Sequence, residues 1–286
     1  MSPIATPLRF EILPFASGER EAHDAPHPLT LTVTCSPRHG VDHSLDVACR
    51  LRAAGHTVIL HVAARMVRGR SHLDELLGRM ADAHIANVFL VGGDAAQPAG
   101  PYTSALDLLG ELRGHPLAPR SIGVGAYPEG HPLIDESTLS RALREKDGVA
   151  DSMTTQLCFD PAALLRWLRR MRDDGVRMPV YIGIPGAVDR GRLLEMSLRV
   201  GVGSSIRFLR KQRGFGRLLG RRMQAAEQLH AAVAPLVGDP TLGIAGLHYF
   251  TFNRLLETAR WAESQAEEGE FTELAVPRLA GLSRSA

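Results

Sequence analysis

The chain has 286 residues, 44% of them apolar, and a net charge of +2, which argues against a polyanion binder or an acidic tail and leaves ample material for a large core. Three cysteines (Cys35, Cys49 and Cys158), widely spaced and with no C-x-x-C pair, exclude a disulfide framework or a structural zinc site and fit a reducing cytosol. The first residues, MSPIATPLRFEI, carry no basic segment followed by an apolar one, and no apolar run approaches the ~18 residues of a membrane span, so a soluble cytoplasmic protein is expected.

Taken in order, strand-like runs alternate with helical ones. RFEILPF (9–15) opens the series, and the short Pro-rich link ASGEREAHDAPHP leads to LTLTVTCS (29–36), so a helix is expected to be missing or irregular there. The helical pattern SLDVACRLRAAG precedes TVILHVAA (57–64), and SHLDELLGRMADAH precedes NVFLVGGD (87–94). TSALDLLGELRG leads to SIGVGAYP (121–128), ESTLSRALREKDG to MTTQLCFD (153–160), and PAALLRWLRRMRDDG to PVYIGIPG (179–186). LGIAGLHYF (242–250) is the eighth strand. The runs are rich in Val, Ile and Leu with little strict alternation, as strands covered on both faces require. Eight strands with crossover helices predict a single-domain (β/α)₈ TIM barrel over residues 1–286, with short flexible tails at about 1–8 and 270–286 and no further domain after LAGLSRSA. An open doubly wound sheet is the rival, but the first strand ends in LPFASGER, with no G-x-G-x-x-G.

Active sites of such barrels lie at the carboxyl ends of the strands. Those ends carry Glu11, Thr34 and Cys35, His61, Asp94, then Tyr127, Glu129 and His131, then Gln156 and Asp160, and last His248, Tyr249, Asn253 and Arg254. Each has an ordinary structural reading beside the functional one. Asp94 after Gly92-Gly93 can shape a turn, His61 can be a satisfied core histidine, and Gln156 can bond a neighbouring backbone group. Convergence on one rim favours a site, with Tyr-Pro-Glu-Gly-His-Pro as one rigid wall.

The same residues resemble the methylenetetrahydrofolate reductases over about residues 9–262. FEILPF resembles that family's F-E-F-F-P-P strand, GGDAA its G-D-P-P loop, AYPEGHP its A-Y-P-E-x-H-P motif, TTQLCFD its T-Q-F-F-F-D motif, and HYFTFNR its H-F-Y-T-L-N-R motif. The resemblance implies a TIM barrel that reduces 5,10-methylenetetrahydrofolate to 5-methyltetrahydrofolate, with FAD as cofactor and NADH or NADPH as donor. It implies Glu11 as general acid, Asp94 as stabiliser of the cationic intermediate, and Gln156 and Arg254, with Asp94, as folate contacts. On the cofactor side it implies Thr34, His61, Tyr127, His131 and Lys146. The chain departs from the family where VTCS, HVAA, Gly92, Ala95 and Ala96 stand, and these departures cluster on the flavin side. Two alternatives therefore stay open: direct hydride transfer from NADH without flavin, and a folate-binding protein without catalysis.

Seven basic residues lie between 207 and 222, with no acidic residue among them. Few aromatics interleave them, which speaks against nucleic acid; the expectation is a basic collar that steers a polyglutamylated folate. The oligomeric state stays open, a homo-oligomer included.

Overall fold

A computed structural model describes residues 7–36, 38–187 and 224–274. Eight strands, β1 (Leu8–Ile12), β2 (Thr30–Val33), β3 (Thr57–Ala63), β4 (Asn87–Val91), β5 (Ser121–Ala126), β6 (Ser152–Thr155), β7 (Val180–Pro185) and β8 (Ile244–Phe250), pair in chain order. Every pairing is parallel, and β8 returns to β1, so the expected barrel is closed. The described helices are α1 (Ala16–His23), α2 (Gly40–Ala53), α3 (Arg70–Asp82), α4 (Ala105–Arg113), α5 (Glu136–Lys146), α6 (Pro161–Asp173), α7 (Gln224–Val233) and α8 (Leu255–Leu274). One expectation is corrected: the first connection holds a regular helix, α1, which buries Ala22 and Gly18 despite its polar composition. β1 begins at Leu8 and α8 runs to Leu274. The basic stretch 207–222 lies outside the described residues.

The helices form where apolar side chains recur every three to four residues. Leu73, Leu76, Leu77 and Met80 make the buried stripe of α3, and Leu164, Trp167, Leu168 and Met171 that of α6. Starts are fixed by side chains: Ser104 and Asp107 form a capping box on α4, and Asp135 caps α5. Asp160, a candidate site residue by sequence, accepts the N–H groups of Ala162 and Ala163 and so caps α6.

Successive residues of a strand point to opposite faces. Leu31, Val33, Leu60, Leu90, Ile122, Val124 and Ile182 join the helices in one buried apolar layer. The alternate set points into the barrel. Glu11 lies in register with Thr32 and Phe250, His61 with Phe89, Phe89 with Gly123, and His248 with Gly183. The lumen therefore carries ionisable side chains on β1, β3 and β8, while β5 presents Gly123 and β7 presents Gly183. The aromatic rings of Phe89 and Phe250 occupy the space above those glycines.

Candidate active site

The most buried cluster of ionisable groups in the lumen is built on β1, β3 and β8. Glu11 Oε2 lies 3.4 Å from His248 Nε2 and 3.7 Å from His61 Nε2. All three side chains are largely buried, His248 at 3% exposure and Glu11 at 17%. Burial pushes the His61 imidazole down to about 4; Glu11 pulls it back up, and His248 adds to the lowering. His61 is thus neutral near pH 7, and its ring lies 4.7 Å from that of Phe89. Two buried ring nitrogens, His61 Nε2 and His248 Nδ1, have no hydrogen-bond partner. Among the described residues no group of three or more His, Cys, Asp and Glu is arranged to hold a metal ion.

Thr251, just past β8, donates its hydroxyl to the Glu11 backbone carbonyl at 2.6 Å. Asn253 Oδ1 accepts the Leu13 N–H at 2.8 Å, and its Nδ2 donates to Ser17 Oγ. This turn holds Phe252 and Asn253 in the left-handed region, at φ 53° and 61°, which is costly for side-chain-bearing residues. These hydrogen bonds join the first and last strands, hold the turn in that conformation and set Arg254 at the rim. There Arg254 is partly exposed and pairs with Glu257 at 3.1 Å.

A second group stands on β4, β5 and β6. Asp94 is exposed in the loop after β4. Gly93 has φ 91°, and a Cβ there would sit 2.9 Å from Ala63 Cβ, so only glycine makes this turn. Sequence reasoning missed the residue that holds the loop. Arg65, two positions past β3, donates to the carbonyls of Ala95 (2.7 Å), Ala96 (2.9 Å) and Thr103 (3.1 Å). The available signal was an arginine at a strand's carboxyl end, in AARM. Burial first, and then the charge of Asp94, push the Tyr127 phenol up. Tyr127 meets the His131 ring edge-on at 5.2 Å, and His131 Nδ1 accepts the Leu133 N–H. Glu129 accepts from the buried Cys158 thiol at 3.4 Å. Gln156 follows β6, and its Oε1 accepts the Leu157 N–H at 2.9 Å. The ordinary reading of Gln156 is the one seen here.

Between α5 and α6, at the end of β5, lies a cavity of about 470 Å³ bordered by Tyr127, Lys146, Arg166, Trp167 and Leu139. Of the expected site residues it takes Tyr127 and Lys146; Glu11 and its histidines belong to the lumen instead. Burial pushes the Lys146 ammonium down, against the pull of Glu145. Lys146 and Arg166 have no side-chain hydrogen bond or ion pair among the described residues; they share the cavity wall with Glu129 and with Glu136, which pairs with Arg170. Thr34, at the end of β2, keeps a buried hydroxyl without a partner. Lys146 and Arg166 beside this cavity can pair with an anionic group such as a diphosphate; Thr34, which follows β2, does not border it.

The pattern of the family described as Methylenetetrahydrofolate reductase matches residues 19–189. "Methylenetetrahydrofolate reductase 1" of Schizosaccharomyces pombe (strain 972 / ATCC 24843) is 29% identical over 121 residues, covering 39% of this chain and 20% of that protein. "Methylenetetrahydrofolate reductase (NADH) 1" of Arabidopsis thaliana is 28% identical over 130 residues, covering 39% and 22%. The matched segment is thus about a fifth of the length of these relatives. Among the described residues no helix is long and apolar enough to cross a membrane.

Proposed function

The chain belongs to the methylenetetrahydrofolate reductase family, and on that premise we propose that it reduces 5,10-methylenetetrahydrofolate to 5-methyltetrahydrofolate with NADH, through bound FAD. The observation that carries this reading is a carboxylate, Glu11, set inside a barrel lumen against two histidines and, among the described residues, paired with no lysine or arginine. The substrate's bridging carbon is a poor hydride acceptor while both nitrogens hold it. A proton delivered to N10 opens the ring and leaves an iminium at N5, which accepts hydride readily. Glu11 supplies that proton and ends as a carboxylate. Asp94, on the loop clamped by Arg65, places negative charge where the cation develops. Gln156 turns from Leu157 to hold the pterin amide edge, and Arg254 leaves Glu257 to pair with a folate carboxylate.

Tyr127, His131, Thr34 and Lys146 would hold the flavin, with Lys146 and Arg166 against its diphosphate. Bound FAD supplies a two-electron relay between NADH and the folate carbon. The donor assignment draws on the relative from Arabidopsis, whose name specifies NADH. One observation favours a second reading, direct hydride transfer from NADH. Gly92, Ala95 and Ala96 depart from the family's motif on the flavin side.

The test is NADH oxidation by purified protein, with and without methylenetetrahydrofolate. Folate-dependent oxidation by protein carrying stoichiometric flavin supports the first reading; the same activity in colourless protein selects the second. In either case Glu11→Gln is expected to lower kcat at least about 10³-fold while folate still binds. Near-normal turnover in that variant removes the acid assignment.

A further inference from the structure

We propose that His248 is the positioning residue of Glu11: its Nε2–H holds Oε2, so that the oxygen which delivers the proton is Oε1. This rests on the reaction proposed above. Both imidazoles approach the same carboxylate oxygen, at 3.4 Å from His248 and 3.7 Å from His61. Only the first distance is within hydrogen-bond reach. Oε1 has no partner among the described residues, and this division of the two oxygens is what a directed acid requires.

The tautomer follows from the surroundings. His248 is buried and its Nδ1 meets no partner. A buried N–H without an acceptor costs more than a bare ring nitrogen, so the proton sits on Nε2, where a carboxylate oxygen can take it. The ring has a packing partner on its own strand and room beside it on the next. Phe250 packs edge-on against it at 4.9 Å and 75°, and the neighbouring strand offers Gly183 in register, which has no side chain to compete. The lumen cation nearest in sequence is turned elsewhere: the Arg9 guanidinium lies 3.2 Å over the Tyr181 ring. β8 and the residue after it thus fix both ends of the acid, its backbone through Thr251 and its carboxylate through His248.

The first test needs no turnover. In protein labelled with ¹⁵N-histidine, His248 is expected as the Nε2–H tautomer, with a resonance that moves in Glu11→Gln. An Nδ1–H tautomer, or a resonance indifferent to Glu11→Gln, overturns the contact. The second test is kinetic. His248→Leu is expected to lower kcat about 10- to 100-fold with KM for folate nearly unchanged, and His248→Gln, whose amide N–H reaches the same oxygen, to restore most of the loss. A His248→Leu enzyme within about twofold of the parent kcat, or a glutamine variant no better than leucine, overturns the positioning role. Should the parent protein oxidise no NADH with methylenetetrahydrofolate, the reaction assignment falls by itself, and the NMR result still decides the contact.

Discussion

Arg65 gives the loop of Asp94 a rigidity that its sequence lacks. Ala95 and Ala96 stand where prolines would stiffen the backbone, and each of their carbonyls instead receives a guanidinium N–H. The main chain of Arg65 contributes as well, donating to Gly92 O and accepting from Ala99 N. A planar fork is suited to three carbonyls at once, whereas an ammonium is not. Arg65→Gln is therefore expected to cost about 1–2 kcal/mol in stability and to raise KM for folate several-fold, because Asp94 is no longer held. Arg65→Lys should recover little of either. Urea midpoints and steady-state kinetics on the two variants check this. An unchanged KM would mean that the loop holds its shape without the clamp. The sequence names Arg65 but not its partners, since three backbone carbonyls some 30 to 38 residues away leave no mark in a motif.

At the scale of the element, each of the eight strands was legible, because buried parallel strands are runs of β-branched and aliphatic residues bounded by helical stretches. The ends were less so: LTLTVTCS shortens to Thr30–Val33, since hydrogen bonding to the neighbours, not composition, decides where a ladder stops. α1 escaped because ASGEREAH has only two buried residues and is made helical by its fit between its neighbours. The candidate site was legible as a list of strand-end residues and not as a geometry. Alternation alone does not tell that His61 and His248 meet Glu11 across β1, while Tyr127 and Lys146 share a different cavity. β7 shows what the lumen demands of its walls. A Cβ on Gly183 would lie 2.3 Å from Thr155 O and 2.6 Å from Phe250 Cε2. The first of these is backbone within the barrel and cannot yield. Gly183→Ala is expected to destabilise by roughly 1–3 kcal/mol or more, seen as a lower urea midpoint or loss of soluble protein. A midpoint equal to the parent's would show that β6 and β7 can part locally.

For the molecule as a whole, the buried histidines set the acid limit of the fold. Burial lowers His56, His61 and His230, and only for His61 is the fall large, from 6.5 to about 4. A histidine held neutral inside the native state binds a proton more readily once unfolded. The unfolded chain then carries more protons between these values, so stability is full above about 6.5 and declines as pH falls through the native value. For His61 alone this amounts to about 3 kcal/mol across the interval. The carboxylates act in a different window. Asp42, Asp107 and Asp135 lie below the usual carboxylate range through hydrogen bonds and ion pairs, so their contribution is lost only at lower pH. Between about pH 7.5 and 5 the loss of stability is then a histidine effect, and His61→Gln, neutral at every pH, should shrink it. Urea unfolding at the two pH values, in parent and variant, measures the difference directly. A pH dependence unaltered by His61→Gln would place the acid sensitivity on His56 and His230, outside the lumen. The same substitution leaves Glu11 its bond to His248, so an acid-resistant variant that still turns over would separate the stability of the barrel from its chemistry.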